Sequence, residues 1–169
     1  MSKRVFNIAQ TWSGNAIPKA AHVQVCTEVV AGDLHITIDA PFYNEPRPSM
    51  PAGPTDKLWN YEVVELFLVA HDGQYLELEF GPHGHYLMLW LTSPRVIKPV
   101  DLTCTYQVLQ RDARWTGQAI VAAESLPTSI ERVNAFAISG VGAARQYLAW
   151  HPLPGTRPDF HQPTAFKLW

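Results

Sequence analysis

From Tyr61 to Leu91 apolar residues recur at every second position, the spacing of side chains along half-buried β-strands. Tyr61, Val63, Glu65 and Phe67 share one phase, and Glu62, Val64, Leu66 and Leu68 the other. After a short turn come Tyr75-Leu-Glu-Leu-Glu-Phe80, the break Gly81-Pro-His-Gly84, and His85-Tyr-Leu-Met-Leu-Trp-Leu91. With Gly81 to Gly84 as a four-residue loop, Phe80 pairs His85, Leu78 pairs Leu87 and Leu76 pairs Leu89, which gathers the leucines on one face. The other face then carries Glu79 opposite Tyr86, Glu77 opposite Met88 and Tyr75 opposite Trp90.

The same period of two marks His22 to Val30 and Leu34 to Ala40 around Ala31-Gly32-Asp33, a second hairpin. Thr103 to Gln110 and Trp115 to Ala123, around Arg111-Asp-Ala-Arg114, make a third. Residues 41 to 56 hold five prolines between strong strands, so they predict neither ladder nor helix, and a loop of that length is usually functional or mobile. Ser93 to Asp101 is a second irregular stretch. The one helical candidate is Pro127 to Arg132, a short turn with Thr128 at its N-cap. Asn134 to Ser139 and Gln146 to Trp150 read as strands joined by a flexible Gly140-Val-Gly-Ala-Ala144, and Ala165 to Trp169 as a closing strand. Nine or more short strands with long loops and a single helical turn predict an all-β, antiparallel β-sandwich. With 169 residues, the chain reads as one domain over 1–169.

Composition narrows the partners. A net charge of -2 with no Lys/Arg cluster argues against nucleic acid, because phosphate binding needs a basic stripe. No apolar stretch is long enough to span a bilayer, and the first ten residues contain no apolar run of the kind that opens a secretory leader. The expectation is therefore a cytoplasmic protein without a membrane partner. Cys26 and Cys104 show no metal-ligand spacing and read as a reduced pair of core residues.

Trp59 stands where the proline-rich loop meets the sheet. Sugar recognition needs such an aromatic platform, with carboxylates nearby to accept hydroxyl hydrogen bonds. The plainer reading is that Trp59 plugs the end of the core. Glu65 lies in an apolar row of a central strand, which is unfavourable unless it is paired, by Arg145 or Lys57 for instance, or used. Glu77 and Glu79 join it, and three carboxylates on one face also suit a calcium ion, although no loop has calcium-ligand spacing. Catalysis by paired carboxylates is the rival reading, with His83, His85, His151 and His161 as proton carriers or metal ligands, although His83 and His85 also read as plain solvated turn histidines. The motifs of serine hydrolases, zinc proteases and nucleotide enzymes are absent from the sequence.

The string Trp59-x-x-x-x-Val-Glu-Leu-Phe67 resembles the central strand of family 9 carbohydrate-binding modules and related DOMON-like sandwiches. Tyr75 to Gly84, Asn134 to Ser139 and Trp150 to Leu168 are similar to later parts of that module. More closely, Leu58-Trp-x-Tyr-Glu-Val-Val-Glu65, Tyr75-Leu-Glu-x-Glu79, Pro82-His-Gly84 and Pro158-Asp-Phe-His161 resemble an uncharacterised family of small proteins, found in vertebrates among others. The resemblance to the sugar-binding modules implies Trp59 and Phe160 as two clamping rings, Glu65 as the carboxylate, and Ser139 and Arg157 as further polar contacts. Phe160 replaces the usual tryptophan, and Glu79 falls where a basic residue can meet the sugar. The expected protein is a non-catalytic binder of a small carbohydrate or polyol, in a cleft of Trp59, Phe160, Glu65 and the Glu77/Glu79/Trp90 face. A small sugar-modifying enzyme and a protein-interaction module are the alternatives.

Overall fold

A computed structural model of the chain describes residues 3–169; Met1 and Ser2, the first residues of the expected domain, lie outside it. The first strands are β1 (Arg4–Ile8), β2 (Gln10–Thr11), β3 (Val23–Val30), β4 (Asp33–Pro41), β5 (Gly53–Pro54), β6 (Val63–Ala70) and β7 (Tyr75–Phe80). They are followed by β8 (His85–Ser93), β9 (Val96–Lys98), β10 (Thr105–Arg111), β11 (Arg114–Val121), β12 (Ile130–Ser139), β13 (Gln146–Ala149) and β14 (Lys167–Leu168). One sheet has the order β1-β3-β4-β11-β10. The other runs β2-β13-β12-β6-β7-β8-β5, with β14 also on β12 and β9 on β8. All pairings are antiparallel except the two-residue ladder of β5 on β8. The all-β sandwich expected from the alternation is thus the observed architecture.

The two sheets pack face to face through the large cluster that includes Phe6, Ile36, Ile38 and Trp115 from one sheet and Leu66, Leu78, Phe80 and Ala135 from the other. Burial of this apolar surface is the main force holding the sheets together. The larger sheet is apolar on its outer face as well. There Val63, Phe67, Tyr75, Leu91, Phe136 and Ile138 form a second cluster with Leu153, Phe160 and Phe166 of the carboxyl-terminal segment. That segment, 151–166, makes almost no strand of its own and instead covers the outer face. A central strand apolar on both faces explains why β6 is buried from Val63 to Val69.

Four expectations change. The β7–β8 hairpin is shifted by one residue: Phe80 pairs Tyr86, Leu78 pairs Met88 and Leu76 pairs Trp90. The Gly81 N–H bonds the His85 carbonyl at 2.8 Å, leaving a three-residue loop whose Gly84 has φ +85°, the arrangement that a left-handed glycine closes without strain. The leucines of β8 therefore face outward with the glutamates, while Tyr86, Met88 and Trp90 face the inter-sheet core. Both phases of β8 are apolar, so hydrophobicity alone does not choose between the registers, and the turn decides.

The helical turn expected at Pro127 to Arg132 is absent, because Ile130–Ser139 is one long strand. Short 3-10 turns occur instead at Lys19–Ala21, Leu58–Asn60, Ala123–Ser125, Gly142–Ala144 and Pro163–Ala165. The proline-rich loop does contribute one small ladder, β5, and the irregular stretch after Trp90 contains β9.

Candidate functional site

Alternation along β6 and β7 places Glu65, Glu77 and Glu79 on the outer face of the larger sheet. Glu65 lies directly across from Glu79, and Glu77 lies across from Phe67, one step along. Cross-strand neighbours at such positions are within side-chain reach of each other. All three are buried, at 2% exposure for Glu65, 4% for Glu77 and 0% for Glu79. No ion pair among the described residues involves any of them. Both oxygens of Glu79 and Oε2 of Glu77 also lack a hydrogen-bond partner among the described residues.

Carboxyl groups in such surroundings hold their protons, because burial disfavours the charged form. Burial pushes Glu77 up to about 7. Glu65 is raised well above the ordinary range by burial and then by the charge of Glu77, with Arg145 opposing. Glu79 is raised likewise by burial, then by Glu65 and Glu77.

Above Glu65 and Glu77 opens a cavity of about 420 Å³, a size that suits a small ligand. Its aromatic walls are Trp59, Tyr147 and Phe160, and the apolar lining includes Phe67, Leu89, Leu91, Ile97 and Ile138. Phe160 is held flat against Phe136, ring centroids 3.9 Å apart and planes 10° from parallel. Arg95, Asp159 and His161 form a polar side. Arg95 sits at the tip of the β8–β9 turn with φ 62° and donates to Asp159 at 2.7 Å. His161 Nδ1 shares a hydrogen bond of 2.7 Å with the Tyr75 hydroxyl. Burial, then the Arg95 charge, lowers the His161 imidazole to about 4, so it is neutral near pH 7.

Trp59 is placed by Arg145. The guanidinium donates to the carbonyls of Trp59, Asn60, Tyr61 and Gly140, tying the Leu58–Asn60 turn to the β12–β13 connection. A planar fork with several donors suits this task better than a lysine. Arg145 was one sequence candidate for pairing Glu65, but its hydrogen bonds go to these carbonyls.

Of the residues singled out from the sequence, Trp59, Glu65, Glu77, Phe160 and His161 line this one cavity. Glu79 lies beside them but is sealed from it. Trp90 is a correction: it points to the inter-sheet core, where its indole N–H donates to Gln74 at 3.0 Å. Ser139 lines a neighbouring hollow with Tyr43 and Glu45, because it is on the opposite strand phase from Ile138. Arg157 is exposed on the carboxyl-terminal segment and is not among the lining residues. None of residues 41–56 reaches the cavity. His85 is not a solvated turn histidine, since it is 3% exposed and its Nε2 meets the Met50 carbonyl at 2.9 Å.

Tyr147, Arg95 and Asp159 were missed. Tyr147 was legible as the outward phase of β13, and Asp159 as a neighbour of Phe160. Arg95 depends on a turn that the alternation does not mark. Among the described residues no group of three or more His, Cys, Asp or Glu side chains has the geometry to hold a metal ion. The clustered glutamates therefore do not form the calcium site weighed from the sequence. No helix among the described residues is long and apolar enough to cross a membrane.

No family model matches the chain. Curated relatives do: it is 34% identical over 173 residues to the human UPF0462 protein C4orf33, covering 96% of this chain and 85% of that protein. The zebrafish (Danio rerio) homologue is likewise 34% identical over 173 residues, covering 96% of this chain and 86% of that protein. The chain belongs to the UPF0462 family. That family name carries no activity. Among solved structures, the chain is similar to "a putative carbohydrate-binding protein" from Bacteroides uniformis, with TM-score 0.76 and 12% identity over 98% of this chain and 84% of the other. At that identity the likeness concerns the fold. For the UPF0462 chain, this neighbour supports the sandwich, and its site has to be argued from its own residues.

Proposed function

We propose that the protein binds a small carbohydrate or polyol, without transforming it, in the cavity above Glu65 and Glu77. One observation carries the reading: Trp59, from the turn before β6, and Phe160, from the carboxyl-terminal segment, line the same cavity as these two carboxyl groups. Rings offer flat apolar surface to the C–H face of a sugar. Carboxyl groups, the Arg95–Asp159 pair and His161 offer hydrogen bonds to its hydroxyls. The fold shared with a Bacteroides protein described as carbohydrate-binding, with the word "putative" attached, and the resemblance to family 9 modules point the same way.

A glycoside-cleaving enzyme needs its acid and base on either side of the scissile bond. Burial raises both Glu65 and Glu77, so neither is the readily ionised base or nucleophile that such an enzyme sets against its acid, which favours holding a ligand over cutting it.

The test is calorimetric titration and tryptophan fluorescence against a panel of mono- and disaccharides. Saturable binding by at least one sugar is expected, weakened about fivefold or more in Trp59→Ala, given that stacking is worth roughly 1 kcal/mol or more. A folded protein that binds none of the panel would remove the reading.

A further inference from the structure

The floor of the cavity is acidic and has no cation of its own. Four carboxyl groups gather here: Glu65, Glu77 and the sealed Glu79, with Asp159 at the side. Neither nearby arginine is paired with the glutamates of the floor. Arg95 is bonded to Asp159, and Arg145 to four backbone carbonyls. Glu77 is the decisive group. It lines the cavity at 4% exposure, its Oε2 is sealed from solvent, and no ion pair among the described residues involves it. A buried acid without a cation is unfavourable when charged, and a ligand that brings one to the cavity-facing side of the group offsets that penalty. The walls add a second preference, because the faces of Trp, Tyr and Phe rings attract cations.

We propose that the ligand is a protonated amino sugar, its ammonium group on the Glu65 and Glu77 carboxylates and its ring against Trp59 and Phe160. This deepens the carbohydrate reading above and rests on it. A neutral sugar leaves the acidic floor protonated and uses it weakly. An ammonium group supplies the missing positive charge, so its arrival ionises the floor and protons leave for the buffer.

The pH dependence follows from the groups that face Glu77. Glu65 faces it from β6, and Glu79 and Tyr75 from β7. Arg95 of the β8–β9 turn, Tyr147 of β13, and Asp159 and His161 of the carboxyl-terminal segment line the same cavity, while Arg145 acts on Glu65. Tyr75, raised to about 12 by burial, stays neutral. His161, lowered to about 4, is neutral above that pH. The glutamates are therefore the groups that change charge as the cation enters: Glu77, pushed up to about 7, and Glu65, raised well above the ordinary range by burial, both hold protons in the empty site. These protons oppose binding, so affinity rises as pH climbs toward 7.

The experiment titrates the full chain with glucosamine, glucose, N-acetylglucosamine and choline at about pH 5.5 and 7, in buffers of different ionisation heat. Glucosamine is expected to bind about tenfold or more tighter than glucose, the scale of a charge-assisted contact. N-acetylglucosamine should follow glucose. Protons should be released as glucosamine binds and the two carboxyls ionise, and Glu65→Gln/Glu77→Gln, checked as folded by its melting transition, should abolish both the preference and the proton release. Equal affinity for glucosamine and glucose would overturn the amino-sugar proposal and leave the carbohydrate reading standing. A preference that survives in the double variant would also overturn it. Choline binding as tightly as glucosamine would show that the sugar ring is not recognised, and no binding by any probe would remove both readings.

Discussion

Glu77 shows how a single buried acid links stability to function. Its carboxyl is raised from the ordinary 4.5 to about 7, mainly by burial. Between these values the folded protein holds a proton that the unfolded chain has released, so this contribution to stability is complete below 4.5 and is lost as pH climbs through 7. His161 acts in the opposite sense. Its lowered value means that stability is lost as pH falls from 6.5 toward 4. Glu77→Gln removes only the first limb. The variant is expected to gain on the order of 2 kcal/mol relative to wild type between about pH 5 and 8, read as a flatter profile of melting temperature against pH. Parallel profiles would show that Glu77 ionises in the folded protein as it does in water. Glu77 was legible as a candidate because it shares a strand face with Glu79 beside Glu65. Its burial was not, since the sequence does not show that the carboxyl-terminal segment covers that face.

At the scale of elements, turns decide what alternation leaves open. The strands β3, β4, β6, β7, β10 and β11 were readable because one of their phases is clearly the more polar or because both are apolar over a strand's length. The register of β7 on β8 was not, and Trp90 was placed on the wrong face for that reason. A left-handed Gly84 made the loop one residue shorter than four, and every side chain of β8 changed sides. Another glycine governs the aromatic wall. Gly140 has φ +85°, and a Cβ there would lie 2.1 Å from the Ala144 carbonyl oxygen. Its turn leads into Arg145, whose carbonyl bonds hold the Trp59 turn. Gly140→Ala is therefore expected to destabilise the protein by on the order of 2 kcal/mol. Arg145→Lys, which keeps the charge but loses the fork, should unfold close to the wild-type temperature while weakening sugar binding and shifting Trp59 emission toward the red. Unchanged emission and affinity in Arg145→Lys would detach Arg145 from the placing of Trp59.

Over the whole molecule, the unusual feature is a larger sheet that is apolar on both faces. A two-layer sandwich buries one face of each sheet, so the outer face here needs a cover, and the carboxyl-terminal segment supplies it with Leu153, Phe160 and Phe166. Phe160 therefore has two roles: it closes the second core by stacking on Phe136, and it forms a wall of the cavity. The sequence marked this segment as a motif with an aromatic residue and a last strand, but its irregular backbone gave no sign that it lies on a sheet. The arrangement predicts the behaviour of a chain ended after Trp150. Such a chain retains the inter-sheet core contributions of β1 to β13, loses β14 from β12, and exposes Phe67, Phe136 and Ile138 as one patch. Exposed apolar patches of that kind associate. The truncated protein is expected to bind a hydrophobic dye such as anilinonaphthalene sulfonate, to self-associate on gel filtration, and to lose all sugar binding, while far-UV circular dichroism remains that of a β protein. A monomeric, dye-silent truncation would mean that the outer face is satisfied without its cover. In that case the cavity would need a different account of its wall, since the segment that brings Phe160, Asp159 and His161 to Glu77 would be dispensable to the fold that presents them.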